Sequence, residues 1–277
     1  MGTSMAMLRR YMGDVRSLLP GGAAGIMQLM YPPLGEAVAA QSDFFDDPFA
    51  RIYRSVPQIW ATVLDTSQRA SERGHAIRDV HKGIKGVDAD GRRYHALDPE
   101  TFWWAHATFT WEVFASIRMF HAGGLARVDT ERLYRETVIW YESYGVSSRP
   151  VPPDLAAFRA KFSRIVAETL ERTPAADITL EMAFAGQWRL PFAEDYLHDP
   201  LTRRIGRVGA IGCLPEEVRR RFDLPWSGSD DLVFRAGANA IRAGFGIVPV
   251  GLNHLLTRAQ LRSIGARTRS DRYDPAA

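Results

Sequence analysis

Asp98-Pro99-Glu100-Thr101-Phe102-Trp103-Trp104-Ala105-His106-Ala107-Thr108-Phe109-Thr110 opens a run that reads as a single helix through Phe120. Asp98 caps the free amides of the first turn, and Pro99 at the next position has no amide to lose. The helix is expected to stop near Gly123-Gly124. With an advance of about 100° per residue, Phe102, Phe109, Val113, Ile117 and Phe120 all fall within about 60° of His106. His106 therefore belongs to the apolar stripe. An imidazole buried there without a partner costs roughly 1 to 3 kcal/mol, so its ring nitrogens call for a hydrogen-bond acceptor or a metal. A core histidine bonded to a carbonyl or carboxylate satisfies this, and so does an axial ligand to an iron held between helices. Periodicity does not separate the two.

Upstream, Ser67 to Lys85 reads as the helix that carries His81, with Ile77, Val80 and Ile84 on the same face. Arg78 lies about 60° round from His81, within reach of a rim anion or of a surface ion pair. Asp88-Ala89-Asp90-Gly91 is a turn, and Val87 and Tyr94 beside it suggest a short hairpin. The hairpin returns the chain to Asp98, so the helices of His81 and His106 are expected to be antiparallel neighbours.

The remaining segments are helical in pattern. Residues 1 to 20 read as a short amphipathic helix, and Leu34 to Gln41 as one built of small residues. A helix begins at Asp46-Asp47-Pro48 and carries Arg51 and Arg54, with Pro57 expected to kink or split it. Asp129-Thr130 starts a helix with the stripe Leu133, Thr137, Trp140 and Tyr144. Asp154 starts another, with Leu155, Phe158, Phe162 and Ile165. Further helices follow from Thr173-Pro174, Pro200, Pro215 and Ser229, the last ending near Phe245. The whole is expected to be all-α, with one multi-helix domain over 1–265 and a polar, disordered tail over 266–277.

Lys+Arg number 35 and Asp+Glu 32, which is no nucleic-acid footprint. The single cysteine, Cys213, excludes an internal disulfide and fits a reducing, cytoplasmic setting. Arg9-Arg10 is followed by Asp14 and Arg16, which break the apolar run an export signal needs. No transmembrane segment is expected.

Several of these residues resemble one family. Pro32 with the Ala-rich run to Ser42, Asp47-Pro48 followed by Arg51 and Arg54, Val80-His81 with Gly86, Asp98-Pro99 before Trp104-Ala105-His106-Ala107-Thr108, and Leu224-Pro225-Trp226 are similar, in order and spacing, to the MpaB-type oxygenase and latex-clearing protein (rubber oxygenase) catalytic-domain family, in its bacterial haem-binding branch. The resemblance implies a globin-like helical core around a haem b pocket, with His106 as the proximal iron ligand. It places Arg78 and His81 over the distal face as the catalytic pair, and Phe102, Phe109 and Thr110 against the cofactor. The chain departs from the family pattern twice: His81 stands where a lysine would be, and Trp103 where an arginine often precedes the proximal histidine. These departures count against rubber cleavage as the reaction.

The resemblance thus implies an oxidoreductase that acts on a small or lipid-like organic substrate with dioxygen or peroxide and draws on an electron donor. Two other classes stand beside it: a haem-binding sensor or carrier without turnover, and a cofactor-free α-helical interaction protein. Competing motifs are weak or missing. Glu72-Arg73-Gly74-His75 has the spacing of a di-iron helix but no second copy, and there is no His-Glu-x-x-His, nucleophile elbow or phosphate-binding loop.

Overall fold

The computed structural model describes residues 5–40, 44, 48–88, 90–186 and 200–270, the side chains of 49–53 and 267–270 excepted. Among these residues the architecture is a single, mostly helical domain of thirteen α-helices with one two-stranded hairpin. In chain order they are α1 (Ala6–Met12), a 3-10 turn (Val15–Leu18), α2 (Gly21–Leu29), α3 (Pro32–Ala39), α4 (Pro48–Leu64) and α5 (Ser67–His81). The hairpin of β1 (Lys85–Val87) and β2 (Arg93–His95) leads into α6 (Pro99–Phe120). Then come a 3-10 turn (Gly124–Arg127), α7 (Thr130–Glu142), α8 (Leu155–Glu168), α9 (Pro174–Phe184), α10 (Pro200–Cys213), α11 (Glu216–Arg221), α12 (Gly228–Gly246) and α13 (Val250–Ser270).

The centre of the domain is α6. Asp98 Oδ1 accepts from the amides of Glu100 and Thr101 at its start. At its other end the Arg16 guanidinium donates to the Phe120 carbonyl, held in place by a buried ion pair with Asp14. The helix is buried on nearly every side, not on one stripe. Besides the predicted Phe102, Val113, Ile117 and Phe120, it buries Trp103, Trp104, Ala107 and Glu112. The far side packs on α2, where Trp104 Nε1 donates to the Met27 carbonyl and Gln28 to the Thr108 hydroxyl. Only a helix enclosed by its neighbours tolerates apolar residues all round.

The hairpin pairs Lys85 with His95 and Val87 with Arg93, and Gly91 turns it with φ +80. The expected side-by-side pairing of the two histidine helices is not what forms. α5 packs chiefly along α4, and Gly74 lets it come close to Ser143 and Tyr144 at the end of α7. It meets α6 through the ring of His81, which lies edge-on against Phe102. A connection that includes a two-stranded hairpin is long enough to swing α5 away from α6.

Pro57 does not split its helix: α4 runs through it from Pro48 to Leu64. The proline ring lies beside Gly265 of α13. α12 ends at Gly246, close to the expected Phe245, and a further helix follows it. Pro249 immediately precedes α13, and its carbonyl accepts the first helical hydrogen bond, from the Asn253 amide. That helix reaches Ser270, so the first residues of the segment read as a disordered tail are helical, and 271–277 lie outside the described residues.

Candidate functional site

His106 projects from α6 toward α7 and is 6% exposed. Its Nε2 lies 3.1 Å from the carbonyl oxygen of Thr137. A carbonyl only accepts, so Nε2 carries the proton and Nδ1 is left as a bare lone pair. Among the described residues Nδ1 has no hydrogen-bond partner. Burial lowers the imidazole pKa to about 3, the Thr137 bond acting weakly the other way, so the ring is neutral at neutral pH.

Aromatic rings from α7 and the residues just after it wall the imidazole in. Trp140, Tyr141 and Tyr144 lie at centroid distances of 4.5, 5.1 and 5.9 Å, each edge-on. The wall is itself anchored, because Trp140 Nε1 donates to the Thr62 hydroxyl of α4 at 2.7 Å and that hydroxyl donates to the Ile59 carbonyl. Burial raises the Tyr144 phenol pKa far beyond its usual value, the nearby Thr62 and Trp140 acting weakly the other way.

Phe102 connects this cluster to His81. Its ring lies 6.0 Å from His81, 6.1 Å from Tyr141 and 5.5 Å from Tyr144. Tyr141 and Tyr144 thus touch both Phe102 and His106, so a continuous chain of rings joins the two histidines. His81 Nδ1 lies 2.6 Å from the Ile77 carbonyl one turn back, which makes it the protonated nitrogen of that ring.

The other residues singled out from the sequence are distributed around this cluster. Phe109 packs edge-on against Trp60 and tilted against Trp140. Thr110 is buried one turn beyond His106. Arg78 turns outward, pairing with Asp79 and donating to the Gly145 carbonyl at the end of α7. Arg54 is exposed, and the side chain of Arg51 lies outside the described residues. Burial pushes the Cys213 thiol up to about 12, so it is no thiolate at neutral pH.

Sequence reasoning placed Trp140 and Tyr144 on one stripe but gave that stripe no partner. It missed Glu112 altogether. This carboxyl is buried on α6, its Oε2 has no hydrogen-bond partner among the described residues, and burial raises its pKa well above the usual carboxylate range. A glutamate inside an apolar helix, between Trp111 and Val113, was the available signal. An open cleft of about 650 Å³ adjoins the start of α6, lined by Tyr31, Lys85, Tyr94, His95, Asp98 and Thr101 among others.

Three or more His, Cys, Asp or Glu side chains do not converge on one point among the described residues. A metal held by His106 would therefore take its other ligands from a cofactor. The donor itself fits such a group: a neutral imidazole, oriented through one nitrogen, whose second nitrogen has no partner.

Residues 9–243 match the family described as ER-bound oxygenase mpaB/B'/Rubber oxygenase, catalytic domain. No curated protein and no solved structure matches the chain.

Proposed function

Because the chain belongs to the mpaB/rubber oxygenase catalytic-domain family, we propose that it is a haem b-dependent oxygenase that oxidises a small or lipid-like organic substrate with dioxygen or peroxide. The observation that carries the choice of haem is the bare Nδ1 of His106. Iron in haem, when bound, supplies the activation of dioxygen or peroxide that no side chain provides.

The residues have separable duties in this reading. Thr137 fixes the plane of the His106 ring and, by accepting its Nε2 proton, makes the opposite nitrogen a better donor. Trp140, Tyr141 and Tyr144 pack around the imidazole and, by keeping water from it, hold it neutral. Phe102, Phe109 and Thr110, on the same side of α6, supply lining for a flat cofactor. His81 is held through Nδ1 by the Ile77 carbonyl beside Phe102, and as an imidazole it is the group at this end of the cluster suited to moving a proton. Arg78, three residues before His81, steadies this end of α5 against α7 through Gly145.

The test is an absorption spectrum. Protein produced with ample haem is expected to show a strong Soret band, and His106→Ala is expected to lose it while the far-ultraviolet circular dichroism stays helical. A colourless wild-type protein, or a normal haem spectrum in His106→Ala, would refute the assignment.

A further inference from the structure

The connection between α12 and α13 exposes apolar side chains that a folded domain ordinarily buries. Ile247 is 87% exposed, Val250 52%, Leu252 49% and Leu255 60%. The helix cannot roll to hide them, because its inner side is polar and engaged. Asn253 Oδ1 accepts from the Val15 amide at 3.0 Å, and the Thr257 hydroxyl donates to the Gly13 carbonyl at 2.6 Å. Both side chains are buried. Rotating α13 by half a turn would strand these groups without partners, so the leucines stay outside.

Charge is distributed just as unevenly. Between Asp231 and Asp271 there is no acidic residue, while Arg235, Arg242, Arg258, Arg262, Arg267 and Arg269 all lie in that interval. Leu252, Arg258, Ala259 and Arg262 fall within about 60° of Leu255 on the helical wheel, opposite Asn253 and Thr257. The outer face of α13 is therefore apolar at the tip and cationic one to two turns further on, with Arg258 and Arg262 exposed. The family match ends at residue 243, so it does not account for this face. Among the described residues no helix is long and apolar enough to cross a membrane.

We infer that the α12–α13 tip is a membrane-docking surface that seats Ile247, Val250, Leu252 and Leu255 in the interface of a bilayer containing anionic phospholipid, with Arg258 and Arg262 at its headgroups. An apolar edge bordered by cations, in a stretch of chain without carboxylates from 232 to 270, matches that chemistry on both counts: acyl boundary below, phosphate above. The attachment is peripheral and reversible, strengthened by anionic lipid and weakened by salt.

The test uses the full chain and sedimentation with vesicles of phosphatidylcholine alone or mixed with phosphatidylglycerol, at low and high salt. Expected is binding to the mixed vesicles that falls with salt, with little binding to phosphatidylcholine alone. Ile247→Asp with Leu255→Asp is expected to weaken it by roughly tenfold or more, and Arg258→Glu with Arg262→Glu to remove its salt dependence. All four side chains are surface residues, and an unchanged melting temperature in each variant would show that the fold is intact. Absence of vesicle binding would overturn the inference, as would equal, salt-independent binding to both lipids. So would a concentration-dependent dimer that Leu255→Asp dissociates in a protein that ignores vesicles, since a second copy would then be the occupant.

Discussion

His106 donates its Nε2 proton to the main-chain carbonyl of Thr137 at 3.1 Å, and this bond determines which ring nitrogen is left without a partner. The carbonyl belongs to the middle of α7, and Trp140 and Tyr141 of that helix, with Tyr144 just beyond its end, also pack around the ring. Orientation, burial and neutrality of the imidazole thus come from one neighbouring element.

The proposed ligation of haem by His106 predicts a loss of affinity when the imidazole is removed. Losing a partner that merely orients a ligand costs about 10- to 100-fold in metal affinity, so His106→Ala, which removes the ligand itself, is expected to cost more. Titrating haem into the cofactor-free protein and its His106→Ala variant, followed at the Soret band, measures the difference. Equal affinities would remove His106 from the iron.

His81 is expected to influence the sixth coordination position. Haem-loaded wild type should be six-coordinate and low-spin in its ferric state, and His81→Ala should turn it high-spin, read in the visible spectrum. An unchanged spectrum would leave His81 no role at the iron.

The cofactor-free protein should lose stability in acid. The folded pKa of His106 is about 3 and that of His121 about 4, both lowered chiefly by burial. Below the ordinary imidazole value the unfolded chain binds protons that the folded one refuses, so stability is full above about pH 6.5 and falls as the pH drops toward the folded values. His106 alone contributes about 1.4 kcal/mol per pH unit across that window. Urea unfolding from neutral pH to about pH 4.5 measures the slope, and His121→Asn should make it shallower.

Glu112 works in the opposite direction. Its pKa is raised, so above about pH 4.5 the unfolded chain releases a proton that the folded chain retains, and stability falls as pH rises. Glu112→Gln, neutral and of similar shape, should be the more stable protein at pH 7 and should lose that decline. A variant that is less stable than wild type across the neutral and alkaline range would mean that the carboxyl has a stabilising partner.

Trp140 holds the wall around His106 through Thr62. Trp140→Phe is expected to cost about 1 to 2 kcal/mol for the lost hydrogen bond and contacts, and Trp140→Ala about 3 to 5 kcal/mol for the cavity. Urea midpoints measure both.

Local chemistry was enough to read several elements from the chain alone. Asp98-Pro99, Asp129, Asp154 and Thr173 announce their helices because each cap bonds an amide within three residues of itself. The turn at Asp88 to Gly91 and the burial of His106 are legible for the same reason: turn chemistry and periodicity act over one or two helical turns. What lies opposite a buried face is a long-range matter. Thr137 as the partner of His106, Arg78 turned to Gly145, α5 laid along α4, and the burial of Glu112 all depend on which helices meet. Tertiary packing likewise decided that α4 passes through Pro57 and that α13 turns Asn253 and Thr257 inward and its leucines out. A periodic pattern specifies a face, and only the assembled neighbours specify what that face touches.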